Sequence, residues 1–170
     1  MIDKTLYEHV LDLLNERNVD ISKMAKIVYD SQISYEPDIT INKCKRAILH
    51  VLKKREVQNV VLTGIVVDKM VDQGLIPDNY LQQILEEDSW QYQCDEVISY
   101  GIGEVFGGIA NSNRGYLDKV KPGIIGEVDR RKDTCNVFLD DILASIIASA
   151  ESYIGNKENQ GAYAKFGDGK

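Results

Sequence analysis

Residues 137–150 constrain the fold most strongly, because they are apolar on almost every side. The only polar side chains among these fourteen residues are the Asp140–Asp141 pair and two serines. A helix with this pattern has no face suited to water, so it belongs at the centre of a larger assembly. Apolar residues recur at helical spacing through most of the chain, and only three prolines interrupt it. The sequence therefore predicts an all-α, single-domain multi-helix bundle around a central apolar helix.

The 170 residues are enough for one domain of ordinary size. We expect one all-helical domain over residues 1–155, whose last helix covers residues 133–154 and ends at Gly155. Residues 156–170 are polar and glycine-rich, which predicts a disordered tail.

Several boundaries follow from capping residues and prolines. Asp3, Asp20 and Thr40 are placed to begin the first three helices as N-caps. In the second half, the pattern predicts a glycine-rich helix over residues 95–110 and a loop over residues 111–121. Pro122 is then expected at the first position of a short helix.

Charge and composition exclude several function classes. The net charge of −7 argues against nucleic-acid binding but leaves room for a small phosphorylated substrate. The three cysteines form no C-x-x-C pair and the two histidines have no companions at ligand spacing, so neither a disulfide framework nor a zinc site is expected. No hydrophobic leader follows Met1, and no apolar run is long enough to span a bilayer. We expect a cytoplasmic protein without a transmembrane segment.

Two acidic pairs are the main candidates for chemistry. An uncompensated carboxylate in an apolar helix is costly, so Asp140 and Asp141 either face an opening or are balanced by positive charge. A helix with one polar seam that is capped by surface arginines would explain them without any function. Asp95 and Glu96 open the glycine-rich helix, where acidic residues also serve simply as partners of the helix dipole.

Residues 118–123 supply a third candidate group. Asp118 offers another oxygen ligand, and Lys119 or Lys121 offers a positive charge for phosphate. The helix expected at Pro122 would add free backbone N–H groups, and Asp129 follows one short helix later. A capped turn with solvated lysines is the alternative. Oxygen ligands of this kind suit Mg²⁺.

Three strings in the second half carry a family resemblance. They are Asp95-Glu96-Val97, then Gly-Tyr-Leu-Asp-Lys-Val-Lys-Pro-Gly-Ile-Ile at 115–125, and then Phe-Leu-Asp-Asp-Ile-Leu-Ala at 138–144. In this order they resemble the phosphatidylglycerophosphatase A family, in particular its small soluble YutG-like branch. The resemblance to that branch covers most of the chain, including residues 54–58 and 62–65. The link to the membrane enzymes covers residues 95–144.

The resemblance implies an all-helical fold and Mg²⁺-dependent removal of phosphate from a phosphomonoester, which is phosphatidylglycerophosphate in the named members. The metal ligands that it implies are Asp95, Glu96, Asp140 and Asp141. The catalytic residues that it implies are Asp118, Lys121 and Asp129. Two departures stand out: the N-terminal Pro-Gly-Thr loop of the membrane enzymes has no counterpart, and Val120 replaces their usual tryptophan.

The leading expectation is therefore a magnesium-dependent phosphatase acting on a phospholipid head-group phosphate or a related soluble substrate. The missing loop keeps a second hypothesis open, a non-catalytic metal- or ligand-binding module on the same fold. A third is an all-α nucleotide pyrophosphohydrolase, suggested by Glu86-Glu87 followed by Asp95-Glu96. The sequence leaves peripheral membrane contact and homo-oligomer formation open, and no nucleic-acid partner is expected.

Overall fold

The computed structural model describes the backbone of residues 4–166 and the side chains of residues 4–156. Within this part of the chain there are nine α-helices and no strand, which confirms the predicted all-α single domain. The helices are α1 (Leu6–Glu16), α2 (Ile21–Gln32), α3 (Ile41–Leu52), α4 (Arg55–Asp72), α5 (Asn79–Glu86), α6 (Cys94–Glu104), α7 (Gly108–Val120), α8 (Ile124–Asp129) and α9 (Leu139–Phe166).

Helix α9 is the central element. It contacts α2, α3, α4, α6, α7 and α8, and every residue from 137 to 150 is buried. The prediction of a central apolar helix is therefore confirmed. Burial on all sides explains why this segment tolerates no polar stripe beyond the two aspartates and the small serines.

The start of α9 is later than predicted, at Leu139 and not near residue 133. The buried carboxylate of Asp68, on α4, accepts hydrogen bonds from the backbone N–H groups of Phe138 at 3.2 Å and Leu139 at 3.1 Å. These N–H groups lie at the beginning of the helix and have no intrahelical acceptor. A cap supplied by a distant helix therefore sets this boundary.

The predicted stop at Gly155 is wrong, because α9 continues through it to Phe166. A glycine inside a helix costs only about 1 kcal/mol relative to alanine, which does not by itself end a helix. The proposed division into a domain of residues 1–155 and a tail of residues 156–170 stays a prediction, and residues 167–170 lie outside the described part. None of the described helices is long and apolar enough to cross a membrane.

Two of the three predicted caps are confirmed. The Asp20 side chain accepts from the N–H of Ser22, and Thr40 accepts from the N–H of Lys43. Helix α1 is instead capped by Thr5, which forms a reciprocal capping box with Glu8. Asp3 lies outside the described residues.

The predicted loop over residues 111–121 is wrong, since most of it belongs to α7. The glycine-rich stretch breaks at Gly107, whose φ of +92° is accessible chiefly to glycine. Polar residues of this range such as Ser112 and Lys119 are exposed on the outer face of α7. Its buried positions are Ala110, Arg114 and Leu117, which follow the helical spacing of four and then three residues.

Candidate active site

Arg114 is a buried cation at the centre of the acidic region. It lies on the inner face of α7 and is only 1% exposed. Its guanidinium donates to Asp141 on α9 at 2.7 Å and lies 3.7 Å from Glu96 on α6. The ring of Tyr100 lies 4.5 Å from the guanidinium carbon, a distance suited to a cation–π contact. Arg114 therefore ties together three helices.

Lys121 is a second cation, at the end of α7. Its ammonium forms ion pairs with Asp129 at the end of α8 and with Asp140 at 2.8 Å. Its backbone is in the left-handed conformation, with φ of +46°, and this cap ends α7. The turn between α7 and α8 thereby brings the lysine back over the start of α9.

The two cations form one site because Asp140 and Asp141 are adjacent in the first turn of α9. Asp141 points to Arg114, and Asp140 points to Lys121. Of the site residues predicted from the sequence, Glu96, Asp129, Asp140 and Asp141 contact Arg114 or Lys121 directly. Asp95 and Asp118 act on Asp141 only through their charge. The individual roles of these residues stay a prediction.

The surroundings of Asp140, Asp141 and Asp95 disfavour the ionised form of each carboxyl group. Burial raises the pKa of Asp140 to about 6, against the opposing effect of Lys121. Burial and the neighbouring Asp140 charge raise the pKa of Asp141, although Arg114 opposes this. Burial also raises the pKa of Asp95. Two cations therefore do not fully compensate the acidic groups, so a further positive charge would stabilise their ionised forms.

Burial alone would lower the pKa of both cations. For Lys121, the hydrogen bonds that its ammonium donates to Asp129 and Asp140 outweigh that effect, and the pKa is raised. For Arg114, the charges of Asp141 and Asp118 outweigh it in the same way. Both residues therefore keep their positive charge in the neutral pH range.

The ligand chemistry of the site fits a divalent ion that prefers oxygen. All the acidic side chains offer carboxylate oxygens, the usual protein ligands of Mg²⁺. One of these atoms, Oδ1 of Asp95, is buried without a hydrogen-bond partner, which is costly unless something binds it. However, no three acidic, histidine or cysteine side chains among the described residues lie close enough together to hold a metal ion. Ion binding would therefore require the carboxylates to turn toward one another.

Sequence reasoning missed Arg114. In one explanation drawn from the sequence, surface arginines balance the charge of Asp140 and Asp141. The arginine that contacts Asp141 is instead buried. A helical reading of residues 108–120 would have placed Arg114 on the same face as Ala110 and Leu117. The helix expected at Pro122 begins two residues later, at Ile124, so Pro122 is not its first position, and anion binding there stays a prediction.

A polar network around the buried Arg17 fixes the segment that leads into α9. Arg17 donates to the carboxylate of Asp72 at 2.6 Å and to the side-chain oxygen of Asn136 at 3.2 Å. Asp72 in turn accepts from the backbone N–H of Cys135 at 2.5 Å. Together with the cap from Asp68, these bonds hold the turn that presents Asp140 and Asp141.

Two cavities lie beside the site and differ in character. The first has a volume of about 630 Å³; its lining includes Asp129 and Asp140, together with residues of α5 and the turn over residues 131–137. The second has a volume of about 470 Å³ and is mainly apolar; Ile27, Leu117 and Val120 contribute to it. Only the first cavity is lined by carboxylates of the candidate site.

Comparison with known proteins gives one family and several relatives. The family model described as phosphatidylglycerophosphatase A matches residues 17–156. YutG of Bacillus subtilis (strain 168), described as an uncharacterized protein, is 41% identical over 145 residues, covering 85% of this chain and 87% of that protein. The match to the family model spans the whole candidate site.

Solved structures of similar proteins have the same fold. The low temperature requirement C protein from Listeria monocytogenes has a TM-score of 0.87 and 38% identity, covering 92% of this chain and 98% of that one. Protein ypjQ from Bacillus subtilis has a TM-score of 0.86 and 39% identity, covering 91% of this chain and 96% of that one. These similarities extend over nearly the full length of both chains.

Proposed function

Because the chain belongs to the phosphatidylglycerophosphatase A family, we propose that it is a Mg²⁺-dependent phosphatase that hydrolyses a phosphomonoester. The observation that carries this proposal is the convergence of α6, α7, α8 and α9 on one acidic site, of which Arg114, Asp140 and Asp141 are buried. Glu96, Asp140 and Asp141 contact two cations there. Such an arrangement is expensive to bury and is typical of functional sites.

In this proposal, the metal ligands are Asp95, Glu96, Asp140 and Asp141. When bound, Mg²⁺ would neutralise phosphate charge and acidify a water molecule. The unpartnered Oδ1 of Asp95 and the raised pKa values of Asp140 and Asp141 support these ligands, because both features indicate carboxylates that lack sufficient positive charge.

The other residues have roles that need no metal. The ammonium of Lys121 would bind a phosphate oxygen, since it lies at the surface of the site and carries a positive charge. Asp118 or Asp129 would accept the proton of the attacking water as general base. Arg114 would keep Asp141 ionised and oriented.

A phosphate-release assay tests this function directly. Purified full-length protein is assayed on phosphomonoesters with and without Mg²⁺, beside an Asp140→Asn, Asp141→Asn double variant. We expect Mg²⁺-dependent release that the double variant reduces by about a thousandfold or more, the scale of a lost catalytic electrostatic contribution. An Asp12→Asn variant is the matched control, because Asp12 lies in an exposed ion pair with Lys4. Full activity in the double variant would contradict the assignment.

The same assay separates the rival functions. Release of pyrophosphate from a nucleoside triphosphate would favour a pyrophosphohydrolase. Mg²⁺ binding measured by calorimetry, without turnover of any phosphoester, would favour a non-catalytic binding module.

A further inference from the structure

We propose that the phosphoester hydrolysed at this site is a small water-soluble molecule whose organic part is hydrophilic and neutral or cationic. This inference rests on the proposed function and names the substrate class of the same site. It follows from which of the two cavities reaches the candidate catalytic residues. A leaving group whose apolar part lies next to the phosphate would need an apolar cavity there, and a polyol or amine would need a polar one.

The cavity that reaches the site is polar. Asp129 and Asp140, the two partners of the Lys121 ammonium, both line it. A phosphate held by Lys121 would therefore place its leaving group in this cavity. Its volume of about 630 Å³ lies within the range of small-molecule sites.

The rim of this cavity is negatively charged. Glu86, Glu87, Asp88 and Asp133 line it and are exposed, in addition to the site carboxylates. Arg131 and Lys132 are the cations of the lining. The guanidinium of Arg131 donates to the backbone oxygens of Arg17 and Asn18, so part of its hydrogen-bonding capacity is already used. This excess of carboxylates repels an anionic leaving group or an anionic lipid surface and favours a cationic one.

The apolar groove does not share the candidate site. Its lining includes Tyr116, Leu117, Val120 and Ile124 but none of the carboxylates assigned to the site. Lys121 stands in sequence between two residues of this lining, yet its ammonium pairs with Asp129 and Asp140. A substrate in this groove would therefore contact none of the carboxylates assigned to the site.

The reaction on such a substrate is an ordinary hydrolysis. Water oxygen forms a bond to phosphorus as the bond from phosphorus to the ester oxygen breaks. The water gives up one proton to a carboxylate of the site, and the departing alcohol takes up one proton. The products are inorganic phosphate and a small alcohol, which can leave through the open polar cavity.

A substrate panel tests the inference. The kcat/KM of the full chain with Mg²⁺ is measured on glycerol 3-phosphate, phosphoethanolamine, 3-phosphoglycerate and phosphatidylglycerophosphate in mixed detergent micelles. Their leaving groups are neutral, cationic, anionic and lipidic, respectively. We expect the first two to exceed the others by about tenfold or more at low ionic strength, and the advantage over 3-phosphoglycerate to shrink as salt is added.

A charge variant shows whether the cavity itself selects the substrate. Glu87→Gln combined with Asp88→Asn removes two rim charges, and we expect the preference for phosphoethanolamine over 3-phosphoglycerate to fall by about threefold or more. Glu56→Gln is the matched control, because Glu56 is exposed on α4 and does not line the cavity. If the double variant keeps the parent's preference for phosphoethanolamine over 3-phosphoglycerate, the charge of this cavity does not select the substrate.

The outcomes distinguish this inference from the function on which it rests. If the lipid is the best substrate, or if 3-phosphoglycerate equals phosphoethanolamine, the substrate class is wrong and the phosphatase function stands. If none of the four esters is hydrolysed, and a wider phosphomonoester panel is also inert, the proposed function fails and the substrate class fails with it.

Discussion

Arg114 and Asp141 form an ion pair that is almost completely shielded from water. The guanidinium donates to the carboxylate at 2.7 Å, and the two side chains are 2% and 4% exposed. The pair joins α7 to the first turn of α9, where the site carboxylates lie. Burying two charges is favourable only when they are matched, so each partner depends on the other.

The first prediction concerns this dependence. Asp141→Leu leaves the guanidinium of Arg114 without its nearest partner, and we expect a loss of about 3 kcal/mol or more in the free energy of unfolding. Arg114→Met should cost a similar amount, because it leaves Asp141 buried alone. The double variant should be more stable than the sum of the two losses predicts. Urea unfolding measures all three, and strictly additive losses would contradict the coupling.

The second prediction separates Lys121 from its neighbour Lys119. Lys121→Met keeps the apolar stem and removes the charge that faces Asp129 and Asp140. We expect affinity for inorganic phosphate, measured by calorimetry with Mg²⁺, to fall by about tenfold or more, the value of one charged hydrogen bond. Lys119→Met is the control, since Lys119 is exposed two residues earlier. An equal loss of phosphate affinity in the two variants would contradict a specific role of Lys121 in binding phosphate.

The third prediction concerns pH and Asp68. Burial raises the pKa of this carboxyl from 3.8 to about 7, although the N–H of Phe138 and the charge of Arg17 oppose the shift. Between about pH 4 and pH 7 the folded protein therefore binds a proton that the unfolded chain has lost. The stability contributed by this group falls as pH rises through that interval and is flat above it.

Asp68→Asn removes this titration and keeps an oxygen acceptor for α9. We expect the variant to lose less stability than the parent between pH 4 and pH 7, by about 1–4 kcal/mol. Chemical denaturation across that interval gives the comparison, with Glu56→Gln as control. Parallel pH profiles for parent and variant would show that Asp68 is ionised throughout.

The fourth prediction uses two glycines with different surroundings. A Cβ at Gly64 of α4 would lie 2.4 Å from Cδ1 of Ile142 and 2.9 Å from Cβ of Phe138. Gly64→Ala should therefore push α4 away from the start of α9 and cost about 1–3 kcal/mol.

Gly101→Ala is the matched control for this prediction. The nearest atom to its Cβ would be Cγ2 of Val60 at 3.9 Å, an ordinary contact. Alanine should stabilise α6 by up to about 1 kcal/mol through helix propensity. Thermal unfolding compares the two, and a neutral Gly64→Ala would contradict the close approach.

Much of the site could be predicted because carboxylates are conspicuous in apolar sequence. Asp140 and Asp141 interrupt the only segment that is apolar on all sides, and Asp95 and Glu96 open a helix. The burial of Arg114 was not predicted, because this residue lies among polar residues whose pattern is typical of a loop. The buried face of this helix can be recognised only from the helical spacing of Ala110, Arg114 and Leu117. The start of the helix is hard to predict because Gly107 continues the glycine-rich stretch before it.

The sequence by itself determined the all-α class, the central position of the last helix and the family, since these depend on local periodicity and on ordered motifs. The tertiary structure alone decided that Arg114 lies against Asp141 and Lys121 against Asp140, and which cavity the site opens into. These contacts join residues 27 and 19 positions apart. They depend on how packed helices cross and turn, which the hydrophobic pattern of each single helix leaves undetermined.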